Sequence, residues 1–127
     1  EKVVTEFAIS IEKDLQNYLS NMLSELEPGL ILVGTEYGTD AGFIDILCKD
    51  QKGDYVVIET KAGKAKDAAL GQILGYMGAL AENGIKEKIR GILVASDFDN
   101  RVYLASKALQ NITLTKYNLS FKFNRVT

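Results

Sequence analysis

The chain has 127 residues, of which 46% are hydrophobic, and its net charge is −2. That size allows one domain with a buried core, and the charge argues against a generic basic coat for nucleic acid. The sequence has no His and a single Cys, which excludes Ser-His-Asp triads, His-ligated zinc, cysteine metal clusters and an intrachain disulfide. Because it also lacks an uncharged apolar run of about 18 residues and a signal peptide, we expect a soluble, cytoplasmic protein.

Charge is unevenly distributed along the chain. Residues 1–60 carry 4 basic and 12 acidic side chains, whereas residues 61–127 carry 11 basic and 5 acidic ones. This asymmetry is compatible with an acidic, metal-binding wall that faces a basic, phosphate-binding one, or with charges that intermix on folding. A chain that begins at Glu1 rather than Met is compatible with a processed product or with one domain of a longer protein.

The first predicted element is a helix that begins after Ser10, the expected N-cap, and ends at Pro28. Its apolar residues fill one arc, and Glu12 is the polar residue that falls inside that arc. A Glu in the first turn is favoured by the helix dipole, and the functional alternative is a carboxylate directed at a metal site.

Three strands should follow, joined by a turn at residues 38–42 and by a three-residue hairpin loop in which Gly53 takes the left-handed conformation. A pairing centred on Lys52 places Asp45 opposite Glu59, and the period of two puts Lys61 on the same face as Glu59. The predicted strands are 30–37, 43–49 and 55–61.

Asp45, Glu59 and Lys61 are disfavoured in apolar strands. Each alone is compatible with an edge-strand or rim charge, but two facing carboxylates repel each other unless a cation lies between them. Together they indicate a divalent-metal site beside a lysine. Oxygen ligands without His or Cys favour Mg²⁺ or Mn²⁺ over zinc.

A second helix is expected from the cap Asp67 to about Asn83-Gly84. Three of its glycines lie on one face, which predicts tight packing on the domain's own sheet or, alternatively, a subunit interface. Gln72 and Tyr76 are four residues apart and neighbour each other on another face, where either could be a polar edge of a buried helix. The three glycines are Gly71, Gly75 and Gly78.

The remaining elements are a central strand at residues 91–95, a helix that opens at Ser96 to Asp99 and runs to about Gln110, and one or two strands between residues 112 and 123. Cys48 is expected to be a small buried strand residue. Lys64 and Lys66 belong either to a solvated loop or to a surface that contacts phosphates.

The order of elements, with Asp on the second strand and Glu-x-Lys on the third, resembles the PD-(D/E)xK nuclease superfamily. The stretches Glu27-Pro28-Gly29-Leu30 through Gly42-Phe43-Ile44-Asp45-Ile46-Leu47, Ile58-Glu59-Thr60-Lys61 and Gly71-Gln72-Ile73-Leu74-Gly75-Tyr76 are similar to the nuclease domain of NucS/EndoMS-type DNA endonucleases. Ile44 stands where the superfamily's name places Pro. The resemblance implies an α/β fold for residues 1–127, a single domain with a restriction-endonuclease-like core (αβββαβ, a mixed central sheet flanked by helices).

The same resemblance implies a set of site residues. Asp45 and Glu59 would bind Mg²⁺ or Mn²⁺ together with the carbonyl of Thr60, and Lys61 would act on the attacking water and the phosphate. Gln72 and Tyr76 would complete the catalytic site, and Glu12 matches the family's first-helix carboxylate.

The resemblance implies a metal-dependent DNA endonuclease, with DNA as partner and a homodimer as a possible assembly. Two alternatives stay open, a non-catalytic nucleic-acid-binding or assembly domain of the same fold and a metal-binding domain that acts on a smaller phosphoester.

Overall fold

A computed structural model describes the backbone of residues 2–127 and the side chains of residues 10–127. The elements in chain order are α1 (Lys2–Asn21), α2 (Leu23–Leu26), β1 (Ile31–Thr39), β2 (Gly42–Lys49), β3 (Tyr55–Thr60), β4 (Lys64–Ala65), α3 (Asp67–Glu82), β5 (Ile89–Ala95), β6 (Asp97–Phe98), α4 (Asn100–Lys107) and β7 (Ile112–Lys116).

The centre of the fold is a mixed five-stranded sheet with the order β1-β2-β3-β5-β7. The strands β1, β2 and β3 form an antiparallel meander, whereas β3, β5 and β7 run parallel and are joined by α3 and α4. Val56, Val57 and Ile58 are buried in succession on β3. Such a continuous apolar run is typical of a strand that helices cover on both faces. The predicted α/β fold with a mixed, helix-flanked sheet is confirmed.

Two apolar cores lie on opposite faces of this sheet. On one face, Leu19 and Leu23 of the N-terminal helices pack with a group that includes Cys48. On the other face, Ile73 and Met77 of α3 pack against the sheet. Cys48 is buried as predicted, and burial raises the pKa of its thiol to about 12. It is therefore an unreactive packing residue.

The β2–β3 hairpin has the predicted register. Gly53 takes a φ of +85°, and the N–H of Asp50 donates to the carbonyl of Asp54 at 2.9 Å, closing a three-residue loop. The pairs run from Lys49 opposite Tyr55 to Ile46 opposite Ile58. The next pair in that register would be Asp45 and Glu59, so the two residues lie side by side, Asp45 in the first half of β2 and Glu59 one residue before the end of β3.

The predicted helix starts are wrong in two places. Residue Ser10 lies inside α1, which begins at Lys2 because the residues before Ser10 include no Gly or Pro that would stop the helix. Asp67 is the first residue of α3 rather than its cap. Its carboxylate makes no capping hydrogen bond and instead accepts one from Arg101 at 3.1 Å.

The C-terminal third also differs from the prediction. Asp97 and Phe98 do not open a helix, because they pair with Lys64 and Ala65 as the short strands β6 and β4. Consequently α4 begins only at Asn100, and it ends at Lys107. One strand, β7, stands where one or two were predicted, and residues 117–127 are in neither helix nor strand. Within residues 2–127, no helix has the length and hydrophobicity needed to cross a bilayer.

The glycine face of α3 does not pack on the sheet, so that prediction is wrong. Gly71, Gly75 and Gly78 are all exposed. A Cβ added at Gly71 or Gly78 would meet no atom within 4 Å, and one at Gly75 would meet only the Cβ of Ala41 at 3.9 Å. The buried side of α3 instead carries the large residues Leu70, Ile73, Tyr76, Met77 and Leu80. Because these side chains fill the space above the sheet, the glycines are left facing outward.

Candidate metal and phosphate site

The predicted site residues Asp45, Glu59 and Lys61 meet where β2 begins and β3 ends. At this edge the carboxyl ends of the parallel strands β3 and β5 lie next to each other. In open α/β sheets ligands commonly bind outside this edge, since the following loops turn away there.

The carboxylate of Asp45 is held by Thr60. Its Oδ2 accepts hydrogen bonds from the N–H of Thr60 at 2.9 Å and from the Thr60 hydroxyl at 2.8 Å. Two donors at one oxygen fix the orientation of the carboxylate. Thr60 therefore has a role that the sequence did not show, and its carbonyl stays a predicted metal ligand.

Glu59 is the least satisfied polar group of the site. Its side chain is 3% exposed, its Oε2 lies 3.4 Å from Nζ of Lys61, and its Oε1 is buried without a hydrogen-bond partner. Burial, reinforced by the negative charge of Asp45, raises the pKa of Glu59 to about 8. A buried, unpartnered carboxylate oxygen costs folding free energy.

A divalent cation fits this arrangement. It would supply the missing partner for Oε1 of Glu59 and would offset the repulsion between Glu59 and Asp45. Among the residues whose side chains the structure describes, no group of three or more acidic, His or Cys side chains is close enough to hold a metal. The protein can therefore offer two carboxylates here, which leaves further coordination positions for water, a carbonyl and phosphate oxygens.

A chain of hydrogen bonds runs from Lys61 to the buried face of α3. Nζ of Lys61 donates to Oε1 of Gln72 at 3.0 Å, and Nε2 of Gln72 donates to the hydroxyl of Tyr76 at 2.9 Å. Burial, with the nearby charge of Glu59, raises the pKa of the Tyr76 phenol. The structure thus brings together Gln72 and Tyr76, four residues apart, with the predicted lysine.

Glu12, in contrast, makes no hydrogen bond to Asp45 or Glu59. It is half-buried on α1, and its charge acts on Tyr117, whose pKa is raised by burial and then by Glu12. The Tyr117 hydroxyl donates to the carbonyl of Ala62 at 2.7 Å, one residue beyond Lys61. Glu12 therefore lies near a residue that supports the loop after β3.

Lys64 and Lys66 are both exposed and precede α3, Lys64 in β4 and Lys66 directly before Asp67. Lys64 pairs in register with Asp97, whose carboxyl pKa is lowered by a backbone hydrogen bond and then by Lys116 and Lys64. Lys66 makes no ion pair within the part of the chain whose side chains are described. Its charge is the freer of the two for a phosphate.

Comparison with known proteins places this geometry in a family. The sequence matches the family described as Endonuclease NucS C-terminal domain over residues 11–122. The chain belongs to the NucS C-terminal domain family. Endonuclease NucS of Sulfolobus acidocaldarius is 33% identical over 121 residues, which are 95% of this chain and 46% of that protein.

Two solved structures agree with the NucS relationship. A repair endonuclease from Pyrococcus abyssi matches with a TM-score of 0.76 and 26% identity, over 84% of this chain and 46% of that chain. A structure described as an EndoMS-dsDNA2 complex matches with a TM-score of 0.72 and 25% identity, over 86% and 46%. The chain thus spans about half the length of the NucS and EndoMS proteins that it matches.

Three residues near the site of this NucS C-terminal domain escaped the sequence analysis. Tyr117 lies in a segment whose alternation of apolar and polar residues predicted a strand, so nothing marked it as a site residue. Glu36 of β1 has a φ of +48°, unusual for a residue other than glycine, and its charge contributes to the raised pKa of Tyr76. Gly42 was assigned to a turn and to the stretch that resembles the family, but not to the site; it has a φ of +123° and lies against the Tyr76 ring. A glycine at the start of the strand that carries Asp45 was the one signal available.

Proposed function

We propose that the chain is the catalytic domain of a metal-dependent DNA endonuclease of the PD-(D/E)xK superfamily, with a restriction-endonuclease-like core. The observation that carries this proposal is the buried, unpartnered Oε1 of Glu59 beside Asp45 and Lys61. A fold without a ligand gains nothing from this arrangement, whereas a phosphodiesterase needs a cation and an ammonium at one place. The names of the NucS relatives support the same reaction class.

In this proposal Mg²⁺ or Mn²⁺ is held by Asp45, Glu59 and the carbonyl of Thr60. When bound, such a cation polarises a phosphoryl oxygen and lowers the pKa of a bound water. Thr60 contributes from the protein side by holding Oδ2 of Asp45 through two hydrogen bonds. Asp45 therefore enters the reaction already oriented.

Lys61 is the proposed catalytic residue. An ammonium has three N–H donors, and two of them are directed at Oε2 of Glu59 and Oε1 of Gln72. The third donor is available for a phosphate oxygen or for the attacking water. As negative charge develops on the phosphate, a fixed ammonium stabilises it without reorganisation. Gln72 and Tyr76 are positioning residues, because they hold Lys61 rather than touch the substrate.

DNA is the proposed partner. One solved relative is described as a complex with double-stranded DNA, and Lys64 and Lys66 lie on the loop that follows the catalytic strand. Contacts from these lysines to phosphates beside the scissile one would be independent of sequence.

A second function is favoured by one observation, the outward-facing glycines of α3. Gly71 and Gly78 leave open space in which another backbone could approach closely. This supports the alternative of a non-catalytic nucleic-acid-binding or assembly domain, including a homodimer formed through α3.

Cleavage and metal binding by three variants distinguish these functions. Purified protein is incubated with single-stranded, double-stranded and branched DNA in Mn²⁺ or chelator, and Mn²⁺ binding is measured by calorimetry. We expect Asp45→Asn and Glu59→Gln to lose both cleavage and Mn²⁺ binding, and Asp54→Asn, at the other end of β3, to keep both. Metal-independent DNA binding without cleavage by the unaltered protein would instead support the alternative.

A further inference from the structure

The β1–β2 turn contacts Tyr76, the last residue of the hydrogen-bond chain that holds Lys61. Gly42 begins β2 with a φ of +123°, and an ideal Cβ placed on it would lie 3.3 Å from Cε1 and 3.5 Å from the hydroxyl of Tyr76. The first distance is tighter than ordinary van der Waals contact. The ring of Tyr76 therefore rests on the backbone of this turn.

The turn itself is closed by Thr39. The Thr39 hydroxyl donates to the carbonyl of Gly42 at 2.8 Å and accepts from the N–H of Ala41 at 3.1 Å. These two bonds, with the pairing of Thr39 and Gly42 in the sheet, fix the position of the Gly42 backbone. On its other side, Tyr76 is 3% exposed and belongs to the core that contains Ile73 and Ile44. A ring held between a closed turn and a packed core has little room to shift.

We infer that Gly42 is a positioning residue, and that the β1–β2 turn sets the position of the Lys61 ammonium through Tyr76 and Gln72. This inference rests on the proposed function, and it adds the β1–β2 turn to the parts of the chain that shape the proposed site. Every link is short: ring against turn, hydroxyl to Gln72 at 2.9 Å, and Gln72 to Lys61 at 3.0 Å. A methyl group on Gly42 pushes Cε1 of the Tyr76 ring away by a few tenths of an ångström, and the hydroxyl moves with the ring. The displacement reaches Nζ of Lys61 because each donor follows its acceptor.

Glycine at this position has a simpler explanation, which is its positive φ. The chain supplies a matched control, since Gly53 closes the other hairpin of the meander with a φ of +85° and its Cβ would meet nothing within 4 Å. Gly53→Ala therefore introduces backbone strain in a hairpin turn without touching the site. Gly53 differs from Gly42 in having a smaller φ as well as in lacking the contact with Tyr76, so a variant cycle with Tyr76→Phe is also needed to isolate that contact.

The experiment compares kcat, KM and Mn²⁺ affinity of Gly42→Ala and Gly53→Ala with the unaltered protein, at a temperature where both variants are folded. We expect Gly42→Ala to lower kcat roughly tenfold or more, because misplacement by a fraction of an ångström already weakens catalysis, with KM and Mn²⁺ affinity unchanged. Gly53→Ala should keep kcat. Equal kcat values in the two variants would overturn the inference.

A double-variant cycle separates positioning from loss of folding. Tyr76→Phe removes the hydroxyl that accepts from Gln72, so adding Gly42→Ala to it should lower kcat little further. Thr39→Val, which opens the turn without adding a Cβ at position 42, should lower kcat in the same direction. Fully multiplicative effects of Gly42→Ala and Tyr76→Phe would contradict the relay.

A readout besides activity keeps the inference testable if the proposed function fails. The side-chain amide resonances of Gln72 in metal-free protein should shift in Gly42→Ala and Tyr76→Phe but not in Gly53→Ala. Absence of cleavage by the unaltered protein would count against the endonuclease alone. Unmoved Gln72 resonances in Gly42→Ala would overturn the relay, whatever the activity.

Discussion

Two clusters of one cation and two carboxylates lie at opposite ends of β3. They differ in how completely their carboxylate oxygens are hydrogen-bonded. At the start of the strand, Arg90 donates to both oxygens of Glu27 and, at 3.3 and 3.2 Å, to Oδ2 of Asp50. Oδ1 of Asp50 accepts from the backbone of the hairpin loop. At the end of the strand, Lys61 reaches one oxygen of Glu59, and the other stays unpartnered.

The difference follows from the geometry of the two cations. A planar guanidinium has five donors in a fixed fork and satisfies two carboxylates at once, whereas an ammonium is a point charge with three donors. The Arg90 cluster therefore joins α2, the β2–β3 loop and β5. The Lys61 cluster carries the same charges but is left short of donors, with one oxygen of Glu59 unpartnered, which agrees with the proposed cation. A saturated cluster supports the fold, and an unsaturated one indicates function.

The largest expected effect is on catalysis. Lys61→Met should lower kcat by about 10² or more while KM and Mn²⁺ affinity change little, because the ammonium acts on charge that develops in the transition state. Steady-state kinetics and calorimetry measure these quantities. Lys52→Met, in the hairpin loop at the other end of β3, is the control and should leave kcat unchanged. A raised KM with unchanged kcat would show that Lys61 only tethers DNA.

Arg90→Met should affect folding alone. Removal of the charged hydrogen bonds to Glu27 and Asp50 is expected to lower the free energy of unfolding by on the order of 2 kcal/mol, measured by urea denaturation. Mn²⁺ affinity should not change. Arg101→Met removes an exposed ion pair with Asp67 and should cost well under 1 kcal/mol. Equal destabilisation by the two variants would remove the distinction between the clusters.

Glu59→Gln should change the free energy of unfolding in the opposite direction from Arg90→Met. In chelator at pH 8 to 9 it should stabilise the protein by about 1–2 kcal/mol, since it removes the buried negative charge. The raised pKa of Glu59 means that the folded state retains a proton that the unfolded state releases. The unaltered protein should therefore lose stability as the pH rises from about 4.5 to about 8, a loss absent in Glu59→Gln. Denaturation at several pH values measures both.

The Arg90 cluster provides the contrasting pH dependence. Burial acts to raise the pKa of Asp50, but backbone hydrogen bonds and Arg90 together outweigh burial and lower that pKa below 3.8. The stability that Asp50 contributes is therefore present above pH 3.8 and is lost as the pH falls further.

A Glu59→Gln stability profile parallel to that of the unaltered protein between pH 4.5 and 8 would contradict the assignment of the neutral-pH slope to Glu59.

The smallest expected effect concerns DNA binding by Lys64 and Lys66. Lys64→Ala/Lys66→Ala should flatten the log–log salt dependence of duplex binding by up to about 0.9 for each phosphate that is no longer neutralised, with Lys66 contributing more because Lys64 faces Asp97. The matched control is Lys86→Ala/Lys88→Ala, which removes two exposed lysines that lie just before β5, at the edge of the sheet opposite to the site. An identical slope in both double variants would place Lys64 and Lys66 away from the DNA path.

The sequence by itself determined those features that depend on local chain chemistry. A left-handed Gly53 in a three-residue loop, with the period of two in strands, is enough to place Asp45 beside Glu59 and Lys61 on the face of Glu59. The helical spacing of apolar residues after Asp67 likewise predicted a helix with one apolar face, although its start was misplaced by one residue. These predictions succeeded because turn geometry and side-chain alternation act within about 15 residues.

Only the tertiary structure decided which partners each side chain meets. The hydrogen bonds from Lys61 to Gln72, the contact of Gly42 with Tyr76 and the proximity of Glu12 to Tyr117 all join separate elements, so they depend on how α1 and α3 are seated on the sheet. The glycines of α3 face outward because larger residues fill the space above the sheet. Such packing is settled by the whole core at once, and no local pattern encodes it.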